Sequence, residues 1–466
     1  MDDVALSQED AVATARELLA VRRTEAARLD LIRAYMRNQV CRIYVPRSAT
    51  AEYKDLVNQS RINIMPLVVT TVAQNLFSDG YRAHLASVNA PAWQVWQDNR
   101  MDARQAGLYR SALTFGASYA TALPGKLNGR ETAVITPYSP RALTAVYEDP
   151  INDEWPVYAL VVDTTLDKGK RVRRLRLFDE THAYQLRGSE DDKTVEFVDA
   201  KEHGLGVTPA VRWLNEYGDI DDGSQGEVEP LMPLQDQLQQ TTFGLLMAQQ
   251  YSAFRQRWAT GMAIAEDEAG NAVEPFNAAV NRVWQNTSPD GKFGDFEQTD
   301  LMGYLNSRKS TLAITSAVAQ VPPHALLVSD GISNLSAEAL AAIEAGLQRK
   351  VGERKTSFGE SNEQLLRLAG KAAGIKGAWD ETSAQVVWRD TESRSLAQVA
   401  DAYGKIAKML GMPVEILWER LPGFTQQDIE RARELLQANN SVAALERMLN
   451  AESGGQPADA GAPARV

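Results

Sequence analysis

Cysteine is almost absent. The 466 residues hold one, Cys41, so no disulfide can close within the chain and a cysteine-based zinc centre is excluded. A lone thiol fits a reducing compartment. Histidine is scarce too: His84, His182, His203 and His324 stand far apart with no ligand spacing. No stretch reaches the length of apolar residues that crosses a bilayer. The nearest, "MPLVVTTVAQNLF", is too short, and no membrane partner is expected. The opening "MDDVALSQED" is acidic and lacks an apolar core, so no secretory signal is expected there.

Positive charge is in deficit. Lys and Arg number 49 against 61 Asp and Glu, a formal net charge of −12. A general nucleic-acid binder gains affinity by neutralising phosphates and is usually basic. This composition excludes that class, but an acidic wall past which DNA slides remains compatible with it.

Catalytic signatures are missing as well. A Walker loop needs Gly, four residues, then Gly-Lys-Ser/Thr. "ATALPGKL" has Ala120 at the first Gly and Leu127 after Lys126, and "NTSPDGKF" fails similarly. There is no G-x-S-x-G elbow and no H-E-x-x-H pair. Carboxylate pairs occur only where a solvated helix face accounts for them. "GDIDDGSQGE" superficially suggests calcium. Counted from Asp219, however, Gly223 falls at loop position five and Pro230 where the bidentate Glu belongs. It reads as a solvated connector. The expectation is a non-enzyme with no catalytic residue, metal or cofactor.

What is present fits a multi-domain α+β protein. Apolar residues are 44% and charged residues 24%, ordinary for a globular chain of ample length. Ser7 to Asn38 reads as a helix with Leu18, Leu19, Ala26, Leu29, Leu31, Ile32 and Tyr35 on one side. "NIMPLVVTTVAQNLFSDGYRA" reads as a second helix ended by Asp79-Gly80. "GLYRSALTFGASYATAL" reads as a third, its small residues suited to a core. From Thr132 to Asn215, seven short Val-, Thr- and Tyr-rich runs between turn residues predict an antiparallel or mixed sheet. In one, "RVRRLRLFD", Arg alternates with apolar residues as in a half-buried strand. Its basic side is expected to be solvated or salt-bridged, not a DNA patch.

Leu231 to Trp258 reads as a helix with Phe243, Met247, Tyr251, Phe254 and Trp258 on one stripe. Up to Phe254 its only charged side chain is Asp236. A surface helix normally carries charge on its exposed face, so neighbours on more than one side are expected. Residues 259–300 are irregular, with short strand-like pieces. A helix over "DLMGYLNSRKSTLAITSAVAQ" must stop at Pro322-Pro323. "VPPHALLVSDGISN" then precedes a helix with Ser336 as N-cap, running about 34 residues, roughly 50 Å at 1.5 Å per residue. Gly352 and Gly359 predict a kink or break in it. "SAQVVWRD" is a further strand, Ser395 to Leu449 is helical, and 451–466 is a low-complexity tail expected to be disordered.

Several stretches, in this order, resemble the phage portal family of the SPP1 type. They are "RINIMPLVVTTVAQNLFSDGYRA", "LYRSALTFGASYA", "HGLGVTPAVRWLN", "PLMPLQDQLQQTTFGLLMAQQ", "GDFEQTDLMGYL" and "NLSAEALAAIEAGLQRKV". Each piece is weak alone; their collinearity over about residues 5–445 carries the resemblance. It implies a portal fold: an α/β wing over 1–225, stem helix 1 over 226–258, a small β-containing clip over 259–300 and stem helix 2 over 301–320. A tunnel loop over 321–335, a long kinked helix with a return strand of the wing over 336–391, and a helical crown over 392–450 would follow.

The implied function is a homo-oligomer, typically of 12 subunits, at one capsid vertex. Double-stranded DNA would pass along its axis non-specifically in packaging and ejection. The other implied partners are the major capsid protein, the terminase large subunit and a head-tail adaptor protein. The implied channel lining is Val321, Pro322, Pro323, His324, Leu326, Leu327 and Val328. On the residues alone, that loop reads first as a buried interdomain connector whose Leu326 and Leu327 fill a core; it is the resemblance that turns the reading toward a tunnel loop. His324 is expected to be structural or loop-lining, not a ligand. Arg255, Arg257 and Lys309 are candidates for the channel or for salt bridges between subunits. Gln239, Gln240, Gln249 and Gln250 are candidates for stem contacts between subunits. The competing readings are another virion assembly protein, a minor capsid or adaptor component that encircles no DNA, and a helical enzyme with an unrecognised site.

Overall fold

The computed structural model describes residues 5–84, 86–167, 170–189, 194–216, 224–253, 257–260, 292–295, 300–326, 337–391, 396–418, 428–429 and 431–438. Most of the expected clip and the expected tail lie outside these residues. The chain divides into two compact units, one of Met1–Leu29, Thr70–Gly226 and Gln348–Val466, the other of Asp30–Val69 and Glu227–Leu347.

In chain order the helices are α1 (Gln8–Met36), α2 (Ala51–Gln59), α3 (Met65–Ala73), α4 (Ala86–Asp98), α5 (Met101–Phe115), α6 (Met232–Ala253), α7 (Met302–Ala319), α8 (Pro323–Leu326), α9 (Ala337–Ala372), α10 (Leu396–Leu410) and α11 (Val414–Trp418). The strands are β1 (Ser78–Arg82), β2 (Ala117–Leu127), β3 (Arg130–Tyr138), β4 (Leu143–Val146), β5 (Tyr158–Asp167), β6 (Lys170–Phe178), β7 (His182–Gly188), β8 (Val195–Glu202), β9 (Ala210–Leu214), β10 (Arg257–Thr260), β11 (Lys292–Asp295) and β12 (Gln385–Trp388).

In the first unit an antiparallel five-stranded meander, β4-β5-β6-β7-β8, packs on both faces. Leu160, Val162, Leu175, Leu177, Tyr184 and Leu186 on one face meet Ala11, Ala15, Leu18 and Leu19 of α1. On the other, Leu143, Ala159, Val161 and Phe178 meet Tyr138 and Ala210 of a second sheet, β3-β2-β9. The Arg-apolar alternation of β6 is the period-2 signature of this arrangement. Arg176, beside buried Leu175 and Leu177, is salt-bridged to Asp163 at 2.9 Å. On α1, Leu31 is 41% exposed, off the stripe expected of it.

Two expected helices end early. α3 stops at Ala73, and Ser78–Arg82 forms β1, antiparallel to β12 far along the chain. α5 stops at Phe115 because Gly116 turns left-handed, φ 92°, and donates its N–H to Ala112 O. A side chain at Gly116 would lie 1.9 Å from Ser224 O, and one at Gly226 would lie 2.2 Å from Thr114 O. Only glycines let these two backbone segments cross so closely. Conversely, α9 runs unbroken through Gly352 and Gly359, where a kink or break was expected. Burial of Val351, Phe358, Leu365, Leu366 and Leu368 outweighs the ~1 kcal/mol that each glycine costs in a helix.

The small sheets are closed at their edges by side chains of α5, α9 and the turn before α5. On β3, Asn99 Nδ2 donates to Ala133 O at 2.9 Å while its Oδ1 accepts from Ile135 N at 2.8 Å. On β1, Gln105 Oε1 accepts from Ser78 N at 2.8 Å. On β9, Ser361 Oγ and Ser357 Oγ of α9 donate to Arg212 O and Leu214 O at 2.7 and 2.8 Å. On β12, Glu363 Oε1 accepts from Val386 N at 2.9 Å. The i,i+4 spacing of the serines, about 6 Å along the helix axis, matches the two-residue repeat of the strand beside it. Buried Asn362 sits between these contacts. Its Nδ2 donates to Ser78 Oγ and Tyr109 OH at 2.9 and 2.7 Å, and its Oδ1 accepts from Trp213 Nε1 at 3.1 Å. Such a network satisfies polar groups that would otherwise be costly to bury.

Candidate channel segment and its helical support

In the second unit α6 and α7 pack on each other. Tyr304, near the start of α7, lies where a side chain on Gly244 would meet its ring at 2.9 Å. α7 also touches the single 3₁₀ turn Glu229–Leu231 that precedes α6. Together these contacts make the pair antiparallel.

Sequence expectation and structure part company on which glutamines face outward. Gln235 is buried: its Oε1 accepts from Ile64 N at 3.1 Å and its Nε2 donates to Ile62 O. Gln239, expected at a subunit contact, is also buried, 3% exposed, and its Nε2 reaches Asn38 Oδ1 at 3.4 Å. It is therefore corrected to a core residue of its own subunit. Gln240, Gln249 and Gln250 are exposed. Asp236, the only charged residue of α6, accepts from Tyr35 OH at 2.8 Å and lies 3.8 Å from Arg42 Nε. Burial, together with this carboxylate, raises the Tyr35 pKa above its ordinary value. Phe243 joins Ile43 and Val57 in a core cluster bordered by Cys41, Tyr53, Leu56 and Met247.

α6 ends at Ala253, not at Trp258. Arg257–Thr260 is instead β10, paired with β11 so that Arg257 stands opposite Asp295 in register. Arg255 lies outside the described residues. On α7, Thr311, Leu312, Thr315, Ser316 and Ala319 are buried, whereas Met302, Ile314 and Val318 are 55%, 47% and 50% exposed. Lys309 is exposed.

The segment after α7 is bracketed, not free. Gln320 is left-handed, φ 53°, and Val321 N donates back to Ser316 O at 3.1 Å, closing the helix by a Schellman-type turn. Ser316 Oγ then donates to Val321 O at 2.6 Å. Val321 is 2% exposed and Pro322 is buried. Both were expected on an exposed lining, and both are corrected to anchors of the segment. Pro323 opens the one-turn helix α8, where its missing N–H costs nothing. Pro323 is exposed, while His324 and Leu326 are half-buried. His324 Nε2 lies 3.9 Å from Glu344 Oε1 on α9, and its Nδ1 is buried with no partner among the described residues. Leu327 and Val328 lie outside them.

The other histidines are placed separately. His84 is exposed. His182 Nδ1 contacts Thr181 Oγ1 at 2.8 Å. His203 Nε2 contacts Asp179 O at 3.0 Å, and burial lowers its pKa. Among the described residues no group of three His, Cys, Asp or Glu could hold a metal ion, and no helix is long and apolar enough to cross a membrane. Sequence reasoning missed the Ser316 bracket and the Asn362 hub. Their signal is a polar residue on a helix face that periodicity would bury.

Comparison with known proteins is direct. The model of the family "Phage portal protein, SPP1 Gp6-like" matches residues 17–441. The portal protein of Mycobacterium phage D29 is 25% identical over 357 residues, 73% of this chain and 71% of that one. That of Mycobacterium phage L5 is 24% identical over 355 residues, with the same coverages. Among solved structures, a chain from the virion of a native gene transfer agent particle aligns with TM-score 0.42 and 13% identity, covering 80% of this chain and 95% of that one. One from the neck of the native particle, computed with C12 symmetry, aligns with TM-score 0.42 and 13% identity over 82% and 98%. The family match and the named relatives define the class: a structural component of the virion, a portal protein of a phage particle. The chain belongs to the SPP1 Gp6-like family of phage portal proteins.

Proposed function

We propose that this chain closes with identical copies, twelve in the simplest reading, into a ring at one capsid vertex. Double-stranded DNA passes through the ring during packaging and ejection. The ring also meets the major capsid protein and docks the terminase large subunit and the head-tail adaptor. α6 and α7 form the stem, the residues between them the clip, and the segment from Pro323 onward the tunnel loop. The sheets with α9 and β12 form the wing, and α10 onward the crown. The observation that carries this reading is the exposed, weakly charged surface of the α6–α7 pair. α6 holds one charged residue, engaged within its own unit, and α7 exposes Ile314 and Val318. A monomer gains nothing by leaving such a surface to water, whereas copies arranged around an axis cover it.

A net charge of −12 suits a conduit. Each phosphate contact adds affinity with a salt slope near −0.9, and many such contacts would stall DNA. The competing reading, a minor capsid or adaptor protein that encircles no DNA, predicts no closed ring. Negative-stain class averages of the purified protein decide between them. The expected result is a ring with an axial hole at least as wide as a duplex, lost in I314E/V318E while the circular dichroism is unchanged. Compact monomers under every assembly condition would refute the proposal.

A further inference from the structure

His203 follows the end of β8, and both of its ring nitrogens are committed. Nε2 lies 3.0 Å from Asp179 O, which can only accept, so it donates there. Nδ1 lies 3.2 Å from Leu205 N, which can only donate, so it accepts there. The ring is therefore neutral, with its one proton on Nε2. Leu205 is 1% exposed, and its neighbours Gly204 and Gly206 are both left-handed, at φ 68° and 64°. Glycines so placed absorb the rotations of a hinge. The charged groups around the ring do not prepare it for a second proton. Asp179, in the β6–β7 turn, spends its carboxylate elsewhere: Oδ1 accepts from Thr181 N, Thr181 Oγ1 and His182 N, and Oδ2 from Tyr184 OH. Glu180 in the same turn, and Lys201 and Glu202 on β8, are exposed. His182 on β7 contacts Thr181 Oγ1, and Arg176 on β6 is held by Asp163 and Tyr138. From α9, Lys371 Nζ lies 3.9 Å from where a side chain on Gly206 would begin, over the Trp379 ring. Burial outweighs the pull of Asp179 and Glu202, so the His203 pKa lies below its ordinary 6.5.

We propose that the turn from His203 to Gly206 is an acid-triggered release in the connection between β8 and β9. A proton taken from solvent onto Nδ1 turns an acceptor into a donor, sets it against Leu205 N–H and leaves that buried N–H without a partner. The turn then opens at Gly204 and Gly206 while the five-stranded sheet stays folded. Opening returns the imidazole to water and to its ordinary affinity for a proton. The closed turn therefore has its full advantage above 6.5 and loses it as pH falls through the lowered value. The release does not depend on ring closure.

The test is hydrogen–deuterium exchange of the full chain read by mass spectrometry, with rates expressed as protection factors so that the intrinsic pH dependence of exchange cancels. Between about pH 7.5 and about pH 5, protection of peptides over 203–209 is expected to fall about tenfold, the worth of one lost hydrogen bond. Peptides from β5 and β6 should keep theirs. H203Q should flatten the fall, and H182Q should leave it in place. Circular dichroism checks the fold of each variant. Should H203Q not fold, incorporation of 2-fluorohistidine, isosteric and neutral across this range, takes its place and should flatten the fall as well. A fall that persists in H203Q or with 2-fluorohistidine, one shared equally by β5 and β6, or none in the wild type would each overturn the proposal.

Discussion

The two kinds of sheet in the first unit end differently. The β3-β2-β9 and β1-β12 sheets are bordered by side chains of α5, α9 and the turn before α5, which answer the backbone groups a neighbouring strand would have taken. The five-stranded sheet ends on β8, whose outer edge is protected by charge and by irregularity. Glu196, Asp199, Lys201 and Glu202 are exposed along it, and the register slips at Gln185/Leu186. Both devices prevent edge-to-edge aggregation. They differ in what a mutation would cost: the first is part of the interior, the second only of the surface.

Substitutions can break or sharpen that contrast, and the largest effect is expected at the hub. N362A leaves Tyr109, Ser78 and Trp213 short of a partner and should cost about 3 kcal/mol in denaturant unfolding monitored by Trp fluorescence. N99A orphans a buried N–H and C=O on β3 and should cost about 2 kcal/mol by the same measurement. S357A/S361A removes two hydroxyl donors from the β9 edge, for about 1–2 kcal/mol in total. It should also speed amide exchange in β9 more than in β6.

E363Q should act chiefly through pH. Burial raises the Glu363 carboxyl above its ordinary value of 4.5. The folded chain therefore holds that proton more tightly than the unfolded one. Its contribution to stability is greatest at low pH and declines as pH rises through the shifted value. The melting temperature of wild type relative to E363Q should fall over that window, and a flat difference would remove Glu363 from the account. The smallest effect belongs to the outer edge: V198K should change stability by no more than about 0.5 kcal/mol.

Much of the architecture was readable from local pattern. The seven strand runs from Thr132 to Asn215 correspond to β3 through β9, and α1, α7 and the start of α6 lie where their apolar periodicity placed them. β1 and β2 were read as helix. "SDGYR" and "ASYATAL" carry no strong alternation, and their strand state comes from partners: β12 for one, β3 and β9 for the other. Tertiary pairing overrode propensity there. In the candidate channel segment, Pro322-Pro323 correctly announced the end of α7. The sequence could not show that Ser316 turns back to hold Val321, because a serine in a helix gives no sign of which backbone oxygen it will find. Family resemblance implied a channel role for the loop and gave no sign that its first two residues, Val321 and Pro322, are buried.

Cys41 borders the cluster in which α2 meets α6 through Val57 and Phe243. One thiol per chain, placed at that junction, makes the protein its own reporter. The rate at which a small alkylating reagent consumes it reports the access to that packing, with no engineered label. Mass spectrometry of the alkylated protein would yield one adduct for each chain in which the thiol had reacted.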